Sequence, residues 1–325
     1  MRLSANDIKK ITFGALRYEE RDGWLGFSRF TEEQAQIYAS HDFSPREIAS
    51  SSIMLDFSTD SEHLSFDYRV VPGSSRRMYF FDIYKDDVMI CHKGEEVAEL
   101  CSGHVEVLLG GGTKRVRVCL PWSFGAEIKA LTLDDGARFT RTEKKHRALV
   151  LGDSITQGYT ATYPSLSYAN LMIEALGLDA INQAVGGEIF RAENLGSTPV
   201  CDPDIITVAY GTNDWKATTT ARVDREVPRY FARLYELYPN ARIVYVSPLW
   251  RGNHDLPTRT GDFFEHCDKL ERLAREAGLY VISGRALVPH MSDFFEDVVL
   301  HPNDLGFRLY AKALAKEIEK LGILE

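Results

Sequence analysis

The stretch "RALVLGDSITQG", residues 147–158, decides how this chain is read. Four apolar residues, Ala148 to Leu151, run without interruption into Gly152, Asp153 and Ser154. A short apolar run closed by a turn signal fits a strand buried on both faces. Such strands belong to parallel sheets covered by helices, where ligands bind at the carboxyl ends of the strands. Ser154 lies just past one of those ends. Ser and Asp also cap helices and close turns by satisfying free backbone N–H groups, so a lone Gly-Asp-Ser reads first as a cap. A nucleophile needs a base, oxyanion donors and a fold that gathers them.

The residues downstream supply that fold. "SLSYANLMIEALG" (165–177) reads as a helix that Ser165 or Ser167 caps and Gly177 ends. "AINQAV" (180–185), "DIITVAYG" (204–211), "RIVYVSPL" (242–249) and "YVISGRALV" (280–288) are further strand candidates. Helices fit between and after them at 224–239, 262–278 and 303–322. Alternating buried strands and helices predict a doubly wound, flavodoxin-like α/β domain over residues 144–325.

The grammar upstream is different. "SIMLDFS", "HLSFDYRVV", "RMYFFDIYK", "VMICHK", "HVEVLL", "KRVRVCLPW" and "AEIKALTL" are short, alternating and separated by turn signals. Helical periodicity is nearly absent, apart from a turn near "TEEQAQIYAS". Residues 1–143 therefore predict an antiparallel, jelly-roll-like β-sandwich. A length of 325 residues also suits two domains.

Composition narrows the function classes. A net charge of −9 argues against nucleic acid or an anionic membrane surface as partner. The N-terminus has no apolar signal region, and no segment approaches a membrane span. Five scattered cysteines without a Cys-x-x-Cys pair signal neither a disulfide framework nor a zinc site. The expectation is a cytoplasmic protein that needs no metal and no cofactor.

Other strand ends carry chemistry. The second leads into "NQAVGGE" with Gly186 and Gly187, and the third into "YGTNDW" with Asn213, Asp214 and Trp215. Before the last helix stands "DVVLHPNDLGF", with Asp297 and His301. A serine hydroxyl needs a base to take its proton, and neutral imidazole is the usual one near pH 7. The oxyanion formed on an ester carbonyl needs fixed donors, which a glycine N–H and an Asn side chain can supply.

This arrangement resembles the SGNH (GDSL-type) hydrolase superfamily, whose four blocks carry Ser, Gly, Asn and His in that order. Here they match Ser154 in "GDSITQG", Gly187 in "NQAVGG", Asn213 in "GTND" and His301 in "HPND". The resemblance covers about residues 146–325. It implies that Ser154 is the nucleophile and His301 the general base. Ser154, Gly187 and Asn213 would form the oxyanion hole. The family usually places an Asp three residues before its His, where this chain has Val298. Either Asp297, one residue further back, orients His301, or a backbone carbonyl does so in a Ser–His dyad. In the sandwich, Asp82, Ile83 and Tyr84 resemble the Gly-x-Asp-Leu-Tyr motif of one SGNH group, with Phe80 in place of Gly. A sandwich followed by an SGNH module is also similar to carbohydrate esterase family two.

The resemblance implies a serine esterase acting through an acyl-enzyme on short acyl esters, acetyl above all, of mono- or oligosaccharides. Trp215 and Trp250 sit at the expected rim, where a flat ring could stack on a sugar or simply pack in the core. Alternatives stay open: a lysophospholipase or thioesterase of the same fold, or a non-catalytic carbohydrate-binding protein on a degenerate hydrolase. The sandwich could also serve assembly into a homo-oligomer. Arg251 and His254 could shape a polar pocket, His266 reads as structural, and His290 is a weaker rival to His301.

Overall fold

The computed structural model describes residues 1–41 and 45–324. These divide into two units. One comprises Met1–Thr31, Pro45–Lys144 and Tyr163–Ser165; the other comprises Glu32–Ser44, Lys145–Thr162 and Leu166–Glu325.

The first unit opens with helix α1 (Ala5–Ile11), which sequence periodicity did not signal because it is only two turns long. Ser4 accepts from the Asp7 N–H and Asp7 answers to the Ser4 N–H, so a capping box starts it. Eleven strands follow. They are β1 (Thr12–Phe13), β2 (Arg17–Arg21), β3 (Trp24–Ser28), β4 (Met54–Thr59), β5 (His63–Pro72) and β6 (Tyr79–Lys85). Then come β7 (Val88–Glu95), β8 (Ser102–Leu108), β9 (Lys114–Cys119), β10 (Phe124–Leu133) and β11 (Phe139–Arg141). One antiparallel sheet runs β1-β4-β9-β6-β7 with β11 on β4, and the other runs β2-β3-β10-β5-β8. Along β5 the buried residues Leu64, Phe66, Tyr68 and Val70 alternate with more exposed ones. They join Phe57, Phe81, Ile83, Val116 and Val118 of the first sheet in one core, which makes the unit a β-sandwich.

In the second unit five strands form a fully parallel sheet. They are β12 (His146–Gly152), β13 (Leu178–Asn182), β14 (Ile205–Ala209), β15 (Arg242–Val246) and β16 (Tyr280–Ile282), in the order β13-β12-β14-β15-β16. Counted from β12, this is the flavodoxin-like order 2-1-3-4-5. Ala148 to Gly152 are all buried, as the unbroken apolar run requires. Helix α2 (Glu32–Ala39) also belongs here. This corrects the reading of residues 31–40 as a turn within the sandwich. The Gln34 amide donates to Gln183 Oε1 (3.0 Å) and to the Asn194 carbonyl (3.1 Å), and these bonds tie the helix to this unit.

The remaining helices are α3 (Ser154–Gln157), α4 (Tyr168–Ala175), α5 (Thr212–Ala217), α6 (Thr220–Leu237), α7 (Phe263–Glu276) and α8 (Asp304–Lys320). Ser167, Thr219, Asp262 and Asn303 cap α4, α6, α7 and α8 through their side-chain oxygens. The strand order reverses between β12 and β14, which opens a crevice at their carboxyl ends. Ser154 follows β12 there. No helix among the described residues is long and apolar enough to cross a membrane, and none of the five cysteines is in a disulfide.

Candidate active site

Ser154 is the first residue of α3. Asp153 caps that helix by accepting the Ile155 N–H (3.0 Å), and Gly158, in the left-handed conformation, ends it. So Asp153 does take the cap that a Gly-Asp-Ser can supply. The Ser154 side chain is engaged elsewhere: its Oγ lies 2.9 Å from His301 Nε2.

His301 arrives on a loop fixed at both ends. Phe295 and Pro302 form an isolated β-bridge, and the Glu296 N–H donates to the His301 carbonyl (2.8 Å). The Gly252 N–H donates to the Val299 carbonyl (2.7 Å). Asn303 accepts from Gly306 as the cap of α8 and donates to the Asp293 carbonyl. The loop places Asp297 Oδ2 2.7 Å from His301 Nδ1. Asp297 Oδ1 accepts three backbone N–H groups, from Val299 (3.1 Å), Leu300 (2.7 Å) and His301 (3.0 Å). Burial opposes ionisation of this carboxyl. The His301 ring and the backbone donors outweigh burial and hold it well below the usual carboxylate range. An ionised Asp297 must accept from Nδ1–H, which leaves the Nε2 lone pair facing the Ser154 hydroxyl.

The next two strand ends approach the same place. The N–H of Gln183 donates to Val150 (2.8 Å) and that of Val185 to Gly152 (3.0 Å), so the chain after β13 tracks β12 toward Ser154. Gly187 follows with a φ of +87°, a conformation that disfavours any side chain. From α5, Asn213 Nδ2 donates to the Glu188 carbonyl (3.0 Å), one residue past Gly187. The fold therefore brings Ser154, His301 and Asp297 into one hydrogen-bonded chain and ties Asn213 beside Gly187.

Trp215 departs from the expected rim position. It is fully buried, packs edge-on against Phe263 and donates its indole N–H to the Gly261 carbonyl (2.9 Å). It sits two residues beyond Asn213 on a helix, about 200° around the axis, so one residue faces outward and the other inward. Trp250 is half-buried, with His290 parallel to its ring at 5.7 Å and Phe295 at 5.4 Å. His290 Nε2 donates to the Arg285 carbonyl (2.8 Å), and the ring is no partner of Ser154. His266 is buried with Nε2 3.0 Å from the Gly211 carbonyl, and burial lowers its pKa to about 4.

Residues 150–309 match the model of the GDSL-like Lipase/Acylhydrolase family. That region is a GDSL-like lipase/acylhydrolase domain. The whole chain is similar in fold to the salicylyl-acyltransferase SsfX3 from a tetracycline biosynthetic pathway, with a TM-score of 0.78, 23% identity and coverage of 100% of this chain and 98% of that one. It is also similar to a family two carbohydrate esterase from Cellvibrio japonicus (TM-score 0.65, 16% identity, 97% of each chain). A third similar fold is the acetyl xylan esterase Est2A from the rumen bacterium Butyrivibrio proteoclasticus (TM-score 0.64, 15% identity, 99% of this chain and 97% of that one). No curated protein sequence matches the chain.

The GDSL-like domain contains two buried charged groups, of which sequence reasoning noted only Arg251, as a loop residue that could shape a polar pocket. Asp153 is buried, and desolvation, offset in part by the Ile155 N–H and raised further by Asp214, pushes its carboxyl up to about 7. Arg251 is 2% exposed and stacks over Trp215 at 4.7 Å. Neither burial has a local sequence signal, because both depend on neighbours from distant strands.

Proposed function

We propose that this protein is a serine esterase that removes short acyl groups, acetyl first, from mono- or oligosaccharides. The observation that carries the reading is the unbroken chain from Ser154 Oγ through the His301 ring to Asp297, at 2.9 and 2.7 Å. Those distances suit proton transfer from the hydroxyl to Nε2 as the serine attacks a carbonyl. Asp297 stabilises the imidazolium that forms. The backbone N–H groups of Ser154 and Gly187 and the Asn213 carboxamide would hold the oxyanion. His301 returns the proton to the leaving alcohol, and water activated by the same nitrogen releases the acid. Sugar esters are favoured by the folds of the family two carbohydrate esterases, and Trp250 offers a half-buried ring beside the His301 loop. Five cysteines that form no disulfide fit a reducing compartment and support a cytoplasmic site of action.

The test compares wild type with Ser154→Ala on 4-nitrophenyl acetate, butyrate and octanoate and on acetylated xylo- and manno-oligosaccharides. A strong acetyl preference that disappears in Ser154→Ala supports the reading. A preference for octanoate moves it to a lysophospholipase or thioesterase. Equal inertness of both proteins on every ester, with sugar binding retained, moves it to a binding protein.

A second reading has a specific observation behind it. Val298, Met291 and Leu305 are 61%, 53% and 54% exposed on segments that flank His301 in sequence. An apolar acceptor alcohol that displaces water would make the protein an acyltransferase, the activity named for the similar fold SsfX3. Transfer of acetyl to an added aryl alcohol in place of hydrolysis distinguishes the two.

A further inference from the structure

Arg251 is a buried cation without a counter-ion among the described residues. Its Nη1 donates to the Thr212 hydroxyl (3.1 Å) and carbonyl (3.3 Å), and its Nε donates to Asn253 Oδ1 (2.7 Å). None of these partners is charged. Among the described residues no carboxylate oxygen comes within the 4.0 Å of an ion pair with it. Burial lowers its pKa, and Asp297 and Asp153 offset this only through space. A buried charge is ordinarily paired, because an unpaired one costs several kcal/mol.

The remaining nitrogen, Nη2, makes no hydrogen bond with the described residues. It is also not among the side-chain atoms that are sealed from solvent without a partner. Nη2 is therefore not sealed from solvent. Two ties locate the guanidinium. Nη1 holds Thr212, the residue before Asn213. The neighbouring Gly252 N–H holds Val299, two residues before His301. The guanidinium lies between the segments that carry Asn213 and His301.

We propose that Arg251 Nη2 binds a carboxylate on the substrate, so that esters bearing an anionic group are preferred over neutral ones. This rests on the esterase reading and narrows its substrate class: either the acyl chain carries the carboxylate, or the alcohol does, as in an acetylated uronic acid. A planar guanidinium suits a carboxylate better than any other side chain does. Folding has already desolvated it, so a substrate anion meets a preorganised partner.

Two pairs of esters test this. Mono-4-nitrophenyl glutarate against 4-nitrophenyl methyl glutarate probes the acyl side. An O-acetylated hexuronate against its methyl ester probes the alcohol side. Wild type, Arg251→Lys and Arg251→Met are compared by kcat/KM within each pair, so that a general loss of activity cancels. Wild type is expected to favour the anionic member of one pair by about ten- to a hundredfold, the worth of a charged hydrogen bond. Arg251→Lys should retain part of that ratio and Arg251→Met none. The pair that responds assigns the carboxylate to its side. Equal rates within both pairs, or a preference that survives Arg251→Met, overturn the proposal and leave the esterase reading intact. If no ester is hydrolysed, the esterase reading fails, and calorimetry with glutarate and dimethyl glutarate decides the binding claim. Saturable glutarate binding that Arg251→Met abolishes supports it, and absence of binding overturns it.

Discussion

Asp297 and His301 are bonded twice, once through side chains and once through the backbone. Oδ2 meets the ring Nδ1 at 2.7 Å, while Oδ1 accepts the His301 N–H at 3.0 Å. One carboxylate thus sets both the loop conformation and the tautomer of the ring that the loop carries. Asp297→Asn can keep the backbone bonds through its amide oxygen but places an N–H donor or a weaker acceptor against Nδ1. We expect kcat on 4-nitrophenyl acetate to fall about a thousand- to ten-thousandfold, with little change in Tm. Asp297→Ala should add a loss of stability of about 1–3 kcal/mol, since three backbone donors lose their acceptor. A loss of less than tenfold in both variants would show that a dyad suffices.

Val298 pays for that arrangement. The loop has one residue more than an Asp placed three before the His would need. Val298 absorbs the difference with a φ of +55°, in the left-handed region that β-branched residues avoid. Its side chain is 61% exposed and gains little from packing. Val298→Gly removes about 1–2 kcal/mol of steric cost and adds about 0.5–1 kcal/mol of unfolded-state entropy. The expected net effect is a gain of up to about 1 kcal/mol in urea unfolding, with hydrolysis of small acetyl esters unchanged. Destabilisation by more than about 1 kcal/mol would mean that the Val298 side chain supports the loop.

These residues show where the sequence was readable. The buried strand before Ser154 and the alternation of buried strands with helices that makes a parallel sheet were legible, because each rests on a local pattern with a known period, and the four chemical blocks could be picked out by the residue types that the chemistry demands. Asp297 was legible only as one of two options. Whether a carboxylate four residues away reaches a ring depends on a backbone conformation that Val298 is disposed against. Trp215 was legible only as a choice between stacking at the rim and packing in the core; the structure has it buried, because a helix turns neighbours two apart to opposite sides and Asn213 takes the outer one. Arg251 was visible as a polar loop residue, but its burial comes from Trp215 and Thr212, which are distant in sequence.

Trp215 accordingly belongs to stability. Trp215→Phe removes the indole N–H that reaches the Gly261 carbonyl and leaves space beside Phe263. The expected cost is about 2–4 kcal/mol, from a lost buried hydrogen bond and a partial cavity. KM for an acetylated oligosaccharide should not change while the protein stays folded. Trp250→Ala is the counterpart: if its ring borders the substrate, KM rises with a smaller loss of stability. A rise in KM for Trp215→Phe at unchanged Tm would reverse the two assignments.

Asp153 predicts a pH dependence of stability. Desolvation raises its carboxyl from 3.8 to about 7 in the folded protein. A raised carboxyl contributes fully below the unfolded value and loses that contribution as pH rises through the folded one, because only the unfolded chain ionises freely between them. Asp153→Asn keeps the oxygen that caps α3 and removes the titration. Its stability relative to wild type should therefore climb between about pH 4 and about pH 7 and stay level above, by an amount on the order of a few kcal/mol. Urea unfolding of both proteins at pH 4, 5.5, 7 and 8.5 gives the difference curve. A flat difference would place the Asp153 titration outside that window.

Asn213 has two amide hydrogens and spends one on the Glu188 carbonyl, at 3.0 Å. That bond fixes the carboxamide next to Gly187, so the second hydrogen can meet an oxyanion without reorganisation when the carbonyl becomes tetrahedral. On the proposed esterase reading its worth would lie in the transition state and not in the bound ester. Asn213→Ala should lower kcat about a hundred- to a thousandfold with KM nearly unchanged. Asn213→Asp should lower it further, because a carboxylate near the Glu188 carbonyl would repel both that oxygen and the developing negative charge. Steady-state kinetics on 4-nitrophenyl acetate separates kcat from KM. If Asn213→Ala loses less than tenfold in kcat while Tm drops, the side chain serves the Glu188 turn alone, and the oxyanion hole consists of the two backbone N–H groups.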